Sequence, residues 1–223
     1  MTTGARIVPR GDSALVLELQ DTDPLQVNAQ AVAIADVIRD EGIAGVLDVV
    51  PTFETVAVYF EPLKADIEGL HGLLTAAAAR SLGTPSAPTP ATVLHRIPVT
   101  YGGPFGPDLV DVASAVGLTE EALVSLHSTP VYRVLMLGFI PGFAYMGPVA
   151  PAIAVPRRTT PHAMVPAGSV GIAGTQTGIY PSDSPGGWHV IGRTSVKPFD
   201  PDRPEPFLFK AGDRVQFYAV SSA

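Results

Sequence analysis

The chain has 223 residues, 46% of them hydrophobic and 16% charged, which is enough to bury one sizeable core or two small ones. Its apolar runs are cut by charge, Pro or Gly well short of the roughly 18 residues of a bilayer-spanning helix, and Met1 to Gly11 lacks a basic segment followed by an apolar one, so a soluble cytoplasmic protein with no membrane partner is expected. The absence of Cys excludes disulfides and thiolate chemistry, and a net charge of −7 argues against nucleic acid as a partner.

Ser13 to Leu19 is apolar and β-compatible and predicts a strand. Asp23 and Pro24 then offer a helix N-cap with Pro in the first turn. Val27, Ala31, Ile34, Ala35 and Ile38 recur at three- and four-residue steps, and Gly42 lies just past the end. Two strands follow, Val46 to Val50 and Thr55 to Phe60, then a helix over about Lys64 to Arg80. A strand at Val93 to Val99 would complete a split βαβ, or ferredoxin-like, pattern, or equally serve the part that follows it. Ser81 to Ala91 is rich in Pro, Ser and Thr and poor in large apolar side chains, which predicts a linker. The expected organisation is an α+β ferredoxin-like domain over residues 1–88 and a mainly-β domain over 89–223.

In the second part, Pro107 to Val116 and Thr119 to His127 read as helices inserted near 107–128, with Thr119 as an N-cap and Glu120 and Glu121 in the first turn. Short β-like runs then alternate with Gly/Pro turns: Val131 to Leu137, Val165 to Ile172, Trp188 to Ile191 and Arg214 to Val220. Such spacing predicts a compact antiparallel barrel or sandwich.

Charge is distributed unevenly. Residues 1–90 hold 12 acidic against 5 basic side chains, and residues 91–223 hold 9 of each. Within the latter, Val131 to Phe199 carries Asp183 alone against Arg133, Arg157, Arg158, Arg193 and Lys197, so an anion is expected to bind there. Gly138 to Gly147 (GFIPGFAYMG) combines turn-forming Gly and Pro with Phe139, Phe143 and Tyr145, the composition of a pocket lip and equally of a turn burying two Phe. Arg157 and Arg158 stand between Pro156 and Pro161, which favour extended backbone, so the two side chains point to opposite faces. Either can give bidentate bonds to a carboxylate or phosphate, or lie in a solvated basic loop.

Val165 to Gly178 is Gly-rich but matches neither a P-loop nor a dinucleotide fingerprint. Gln176 and Thr177 there can line a pocket or close a hairpin. Tyr180 to Thr194 gathers Ser182, Asp183, Ser184, the single Trp188, His189 and Arg193. A nucleophile triad is disfavoured, because no G-x-S-x-G elbow is present and triad members normally come from separate elements. His189 can present a polar tip to a pocket or serve as a satisfied structural histidine. His71, His95, His127 and His162 show no metal-binding spacing, so no metal site is expected.

Long segments carry a resemblance: PVTYGGPFGPDL from Pro98, LGFIPGFAYMG from Leu137, PRRTTPHAMVPAGSVGIAGTQTGIYP from Pro156, SPGGWHVIGRT from Ser184 and PFLFKAGDRVQF from Pro206. The chain resembles the KipI family, whose members are also known as the B-type component of 5-oxoprolinase or as allophanate hydrolase subunit 1. The resemblance implies a ferredoxin-like domain followed by a cyclophilin-like β-barrel. It also implies a component inactive alone, working with a homologous C-type component (allophanate hydrolase subunit 2 type) and an A-type component of lactam-hydrolase kind. Together these would open 5-oxoproline, a small anionic substrate, to glutamate with ATP; which of them binds the nucleotide is left open. The alternatives are an inhibitor of a sensor histidine kinase and a carboxyltransferase half-site similar to that of urea carboxylase. Carried over by motif, the catalytic candidates are Arg157, Arg158 and Arg193. The substrate-binding candidates are Phe139, Gly142, Phe143, Tyr145, Gly168, Ser169, Gln176, Thr177, Tyr180, Ser184, Gly186, Gly187, Trp188 and His189.

Overall fold

In the computed structural model, which describes residues 4–20, 23–82 and 93–221, the chain divides into two compact units, 1–91 and 92–223. The expected linker lies outside the described residues from position 83 onward.

The first unit is built on β2 (Ala14–Gln20), whose Leu15, Leu17 and Leu19 are buried at the alternation a half-buried strand requires. It pairs antiparallel with β1 (Gly4–Pro9) on one side and β4 (Thr55–Phe60) on the other, and β4 pairs with β3 (Val46–Pro51). Helix α1 (Pro24–Asp40) starts where the Asp23 carboxylate accepts from the Leu25 N–H at 2.9 Å. It ends at Gly42, whose left-handed φ of 58° lets its N–H reach Arg39 O. The predicted stripe of α1 and the Leu70, Leu74, Ala77 and Ala78 face of α2 (Ile67–Leu82) bury one core against the sheet.

The sheet order is β1-β2-β4-β3. The strand expected from Val93 to Val99 is not part of it. Its place beside β2 is taken by β1, because a hairpin partner close in sequence pairs at small entropic cost.

That later strand, β5 (Leu94–Tyr101), instead opens the second unit and pairs in parallel with β13 (Arg214–Ala219), the last strand of the chain. The barrel is therefore not wholly antiparallel as expected. It also contains β6 (Tyr132–Leu137), β7 (Ala144–Gly147), β9 (Ser169–Ala173), β10 (Gln176–Ile179) and β12 (His189–Arg193), closed in the order β10-β7-β6-β13-β5-β12-β9. Closure leaves the seven strands no unpaired edge. A two-stranded ribbon, β8 (His162–Val165) with β11 (Ser184–Gly186), lies outside the barrel sheet. Helices α3 (Leu109–Ala115) and α4 (Glu120–Ser128) form the insertion, with Thr119 capping α4 through a bond from Ala122 N–H at 3.2 Å. The run expected as one strand from Val165 to Ile172 is broken into β8 and β9 at Gly168, whose φ of +80° turns the chain.

Among the described residues, no helix is long and apolar enough to cross a membrane.

Candidate functional site

A cleft of about 240 Å³ opens on the second unit, walled by Phe139, Phe143, Tyr145, Tyr180 and Trp188, with Gly186 and Gly187 along one side. Phe143 is the hub, meeting Phe139, Tyr145, Tyr180 and Trp188 edge-on at ring separations of 4.9 to 5.7 Å. Phe139 stands out twice. It is 59% exposed, and it is the single non-glycine residue of left-handed φ (72°) among those described. A bulky side chain held there stores strain, a signature of sites where position matters more than stability. Gly142 shares the turn, with a φ of +83° and its α-carbon packed on Phe199.

Arg157 is the one cation in this cleft. It has no ion-pair partner among the described residues, whereas the residues on either side of it are fastened. His189 donates through Nε2–H to the Pro156 carbonyl at 3.0 Å, and the Arg158 N–H donates to the Gly187 carbonyl at 2.9 Å. The backbone that carries Arg157 is thus held from both sides by the segment that also carries Trp188. Burial raises the Tyr180 phenol above its ordinary pKa, against the lowering effects of a bond from the Trp188 N–H and of Arg157, so it stays protonated. An aromatic slot with one unpaired guanidinium suits a small planar or cyclic molecule bearing a carboxylate.

Arg158 points the other way, as two adjacent residues on extended backbone must. Its Nη1 donates to Asp108 Oδ1 at 2.5 Å, and its Nε donates to Thr160 O. Asp108 is buried, and its other oxygen is also engaged: Oδ2 accepts from His162 Nε2–H at 2.8 Å and from the Val190 N–H at 2.7 Å, while the Asp108 N–H donates to Val190 O. It sits at the N-cap of α3 yet its side chain caps nothing there. The carboxylate instead ties α3, β12 and the ribbon strand β8 to the Arg158 loop. Arg158 therefore holds the backbone beside the cleft and does not line it.

The third expected cation, Arg193, is elsewhere. It lines a second opening of about 470 Å³ with Lys197, Thr194 and Gly168, and a smaller annex of about 110 Å³ with Ser169 and His162. At Gly168 a Cβ would fall 2.2 Å from Thr194 O, so only glycine lets these two backbone segments approach.

Of the remaining candidates, Thr177 is fully buried and lines none of these three openings: its hydroxyl donates to Gly171 O at 3.0 Å and accepts from His127 Nε2–H at 2.8 Å. His127 completes this interior chain by accepting the Tyr101 hydroxyl at Nδ1, 2.7 Å away, and stacks on Phe217. Burial without a charged partner pushes the imidazole down to about 3, and burial likewise raises the Tyr101 and Tyr132 phenols. Gln176 is half-buried at the start of β10, and the buried Ser184 sits in β11; neither lines the three openings. Asp183 spends Oδ1 on the Ala167 N–H at 2.7 Å while His189 faces Pro156 O, so the Ser-His-Asp grouping that the sequence invites is not assembled. Among the described residues no cluster of three or more His, Asp or Glu could hold a metal ion. Sequence reasoning does not reach the roles of Asp108, His162 and His127. The available signal is a lone carboxylate, Asp108, in the apolar and Gly/Pro-rich stretch from Pro98 to Leu109.

Residues 5–209 match the family model described as "Carboxyltransferase domain, subdomain C and D". The chain is 36% identical to the B component of 5-oxoprolinase from Bacillus subtilis, over 99% of this chain and 95% of that protein. It is 40% identical to the B component of 5-oxoprolinase from Escherichia coli O157:H7, over 96% and 95% respectively. Among solved structures, TTHA0988 superimposes with a TM-score of 0.82 at 37% identity, covering 94% of this chain, which spans only 40% of that longer one. The urea carboxylase of Kluyveromyces lactis shares the fold at a TM-score of 0.75 and 18% identity, over 99% of this chain and 22% of that one. A match from residue 5 to residue 209, through both units, places this chain in the carboxyltransferase-domain family of subdomains C and D.

Proposed function

We propose that the chain is the B-type component of an ATP-dependent 5-oxoprolinase, a cyclic-amide hydrolase that converts 5-oxoproline to glutamate. The observation that carries this reading is 36 to 40% identity, over at least 95% of this chain, to three proteins named as that component of 5-oxoprolinase. The chain works in a heteromeric cytoplasmic complex, with a homologous C-type component and an A-type lactam hydrolase, and is inactive alone. The aromatic cleft receives the five-membered lactam. Arg157 pairs with its carboxylate, and the Tyr180 hydroxyl donates to the ring carbonyl, where negative charge develops when the amide is attacked. Phe139, Phe143 and Trp188 exclude water and so strengthen both interactions.

ATP is consumed by the assembled complex. In this chain the Gly-rich segment Val165–Gly178 supplies strands β9 and β10, whose amides are spent on the barrel ladders from Gln176↔Ala173 to Ile179↔Val170, so it is no phosphate-cradling loop.

The test is 5-oxoproline-dependent glutamate release by the complete, verified complex. Arg157→Ala is expected to lower kcat/KM by roughly tenfold to a hundredfold, the worth of one charge-assisted hydrogen-bonded contact. Unchanged turnover in that variant would remove Arg157 from its role, and no glutamate from the wild-type complex would remove the substrate. The family description favours a second reading, a carboxyltransferase half-site. It predicts carboxyl transfer from carboxybiotin in place of glutamate release.

A further inference from the structure

We infer that the second opening, around Arg193, is a separate binding site for a phosphate-bearing small molecule. Arg193 uses Nε alone on the fold, donating to the Ala167 carbonyl at 3.0 Å. That bond fixes the plane of the guanidinium, and Nη1 and Nη2 have no partner among the described residues. A planar fork held by its stem with both terminal nitrogens available is a ready-made receptor for two oxygens of one anion.

The surroundings add donors. Lys197 lines the same opening, as do Thr100, Thr194 and Ser195, and no carboxylate is among the lining residues. Asp183 accepts from the Ala167 N–H, and Asp200 pairs with Lys197 at 3.4 Å, a contact an incoming phosphate competes for at a lysine side chain that remains 73% exposed. Two cations and several hydroxyls supply more donors than a carboxylate can use, and match a phosphate dianion with three terminal oxygens. Phe105 forms an apolar wall shared by the opening and its annex, and about 470 Å³ leaves room for an organic group beyond the phosphate.

The site is distinct from the aromatic cleft. Trp188 immediately precedes β12 and Arg193 ends it, so the two lie at opposite ends of a five-residue strand, about 16 Å apart by strand rise. The inference does not depend on what the aromatic cleft binds.

The experiment is a titration of the intact chain with inorganic phosphate, followed by NMR shifts of the Gly168 and Thr194 amides. Saturable shifts are expected, with affinity reduced about tenfold or more in Arg193→Met. Lys197→Met, which removes one ion pair with Asp200 outside the barrel strands, is expected to weaken binding severalfold, and Arg157→Ala is expected to bind as wild type. Parallel titration with ADP separates two sources of the same chemistry: binding much tighter than phosphate identifies a nucleotide, and equal binding a free phosphate or small ester. The proposal is overturned if both Arg193→Met and Lys197→Met bind phosphate as wild type does. It is also overturned if acetate binds equally well, or if Arg157→Ala abolishes the shifts.

Discussion

Phe139 shows how a single residue can be poor for the fold and yet wall a cleft. Its φ of 72° is adopted comfortably by glycine and at a cost of about 1 to 3 kcal/mol by other residues, and its ring is 59% exposed, so folding recovers little of that cost by burial. Phe139→Gly is therefore expected to leave the melting temperature unchanged or to raise it, while weakening binding of the proposed substrate by removing one wall of the cleft. A lower melting temperature in thermal denaturation would show that the ring contributes more through Phe143 than the backbone loses. At this scale the sequence is informative about Arg157 and Arg158, because adjacent residues in extended backbone must diverge. It is silent about what each meets: Asp108 lies 50 positions from Arg158, and nothing local announces that pairing.

Among the elements, α4 carries the polar group most deeply committed to the barrel. His127 is neutral in the folded state down to about pH 3, whereas in the unfolded chain it takes a proton below about pH 6.5. The unfolded state thus binds more protons in that window. Its contribution is complete above pH 6.5 and is lost as pH falls toward 3, at up to about 1.4 kcal/mol per pH unit. Urea unfolding of the wild type and His127→Gln at pH 7 and pH 5 checks this. The variant is expected to be less stable at pH 7, yet to lose about 2 kcal/mol less between the two pH values. Equal losses would mean that the imidazole is protonated within the fold. Strands with several alternating apolar residues, such as β2 and β4, are legible in the sequence. The short pieces β7, β10 and β11 are not, since three or four residues that include Gly or Pro carry no readable period. Strand β1 is missed for another reason: it is mostly exposed or half-buried, so its apolar alternation is weak.

Over the whole molecule, each unit has its own core: one under the four-stranded sheet, the other inside the barrel with α3 and α4 packed on it. A fragment of residues 92–223 is accordingly expected to fold cooperatively by itself and to keep the pH dependence of His127. Calorimetry without a cooperative transition would show that the barrel needs the first unit. The excess negative charge over residues 1–90 would leave such a fragment nearly neutral, hence less soluble near pH 7 than the full chain.

The two-part organisation, most elements, the helical insertion and the residue types of an apolar, cation-bearing cleft can be read from the chain alone. Each of these follows from composition or from spacing over a few residues. Folding in three dimensions is what assigns Val93 to Val99 to the barrel, pairs β5 with β13 in parallel, and separates the expected cations. Arg157 enters the aromatic cleft, Arg158 joins Asp108 and Arg193 faces the second opening. These outcomes depend on which distant strands meet and on which buried carboxylate must be satisfied. Both are settled by packing between residues 50 or more positions apart, whereas sequence patterns report only the nearest few.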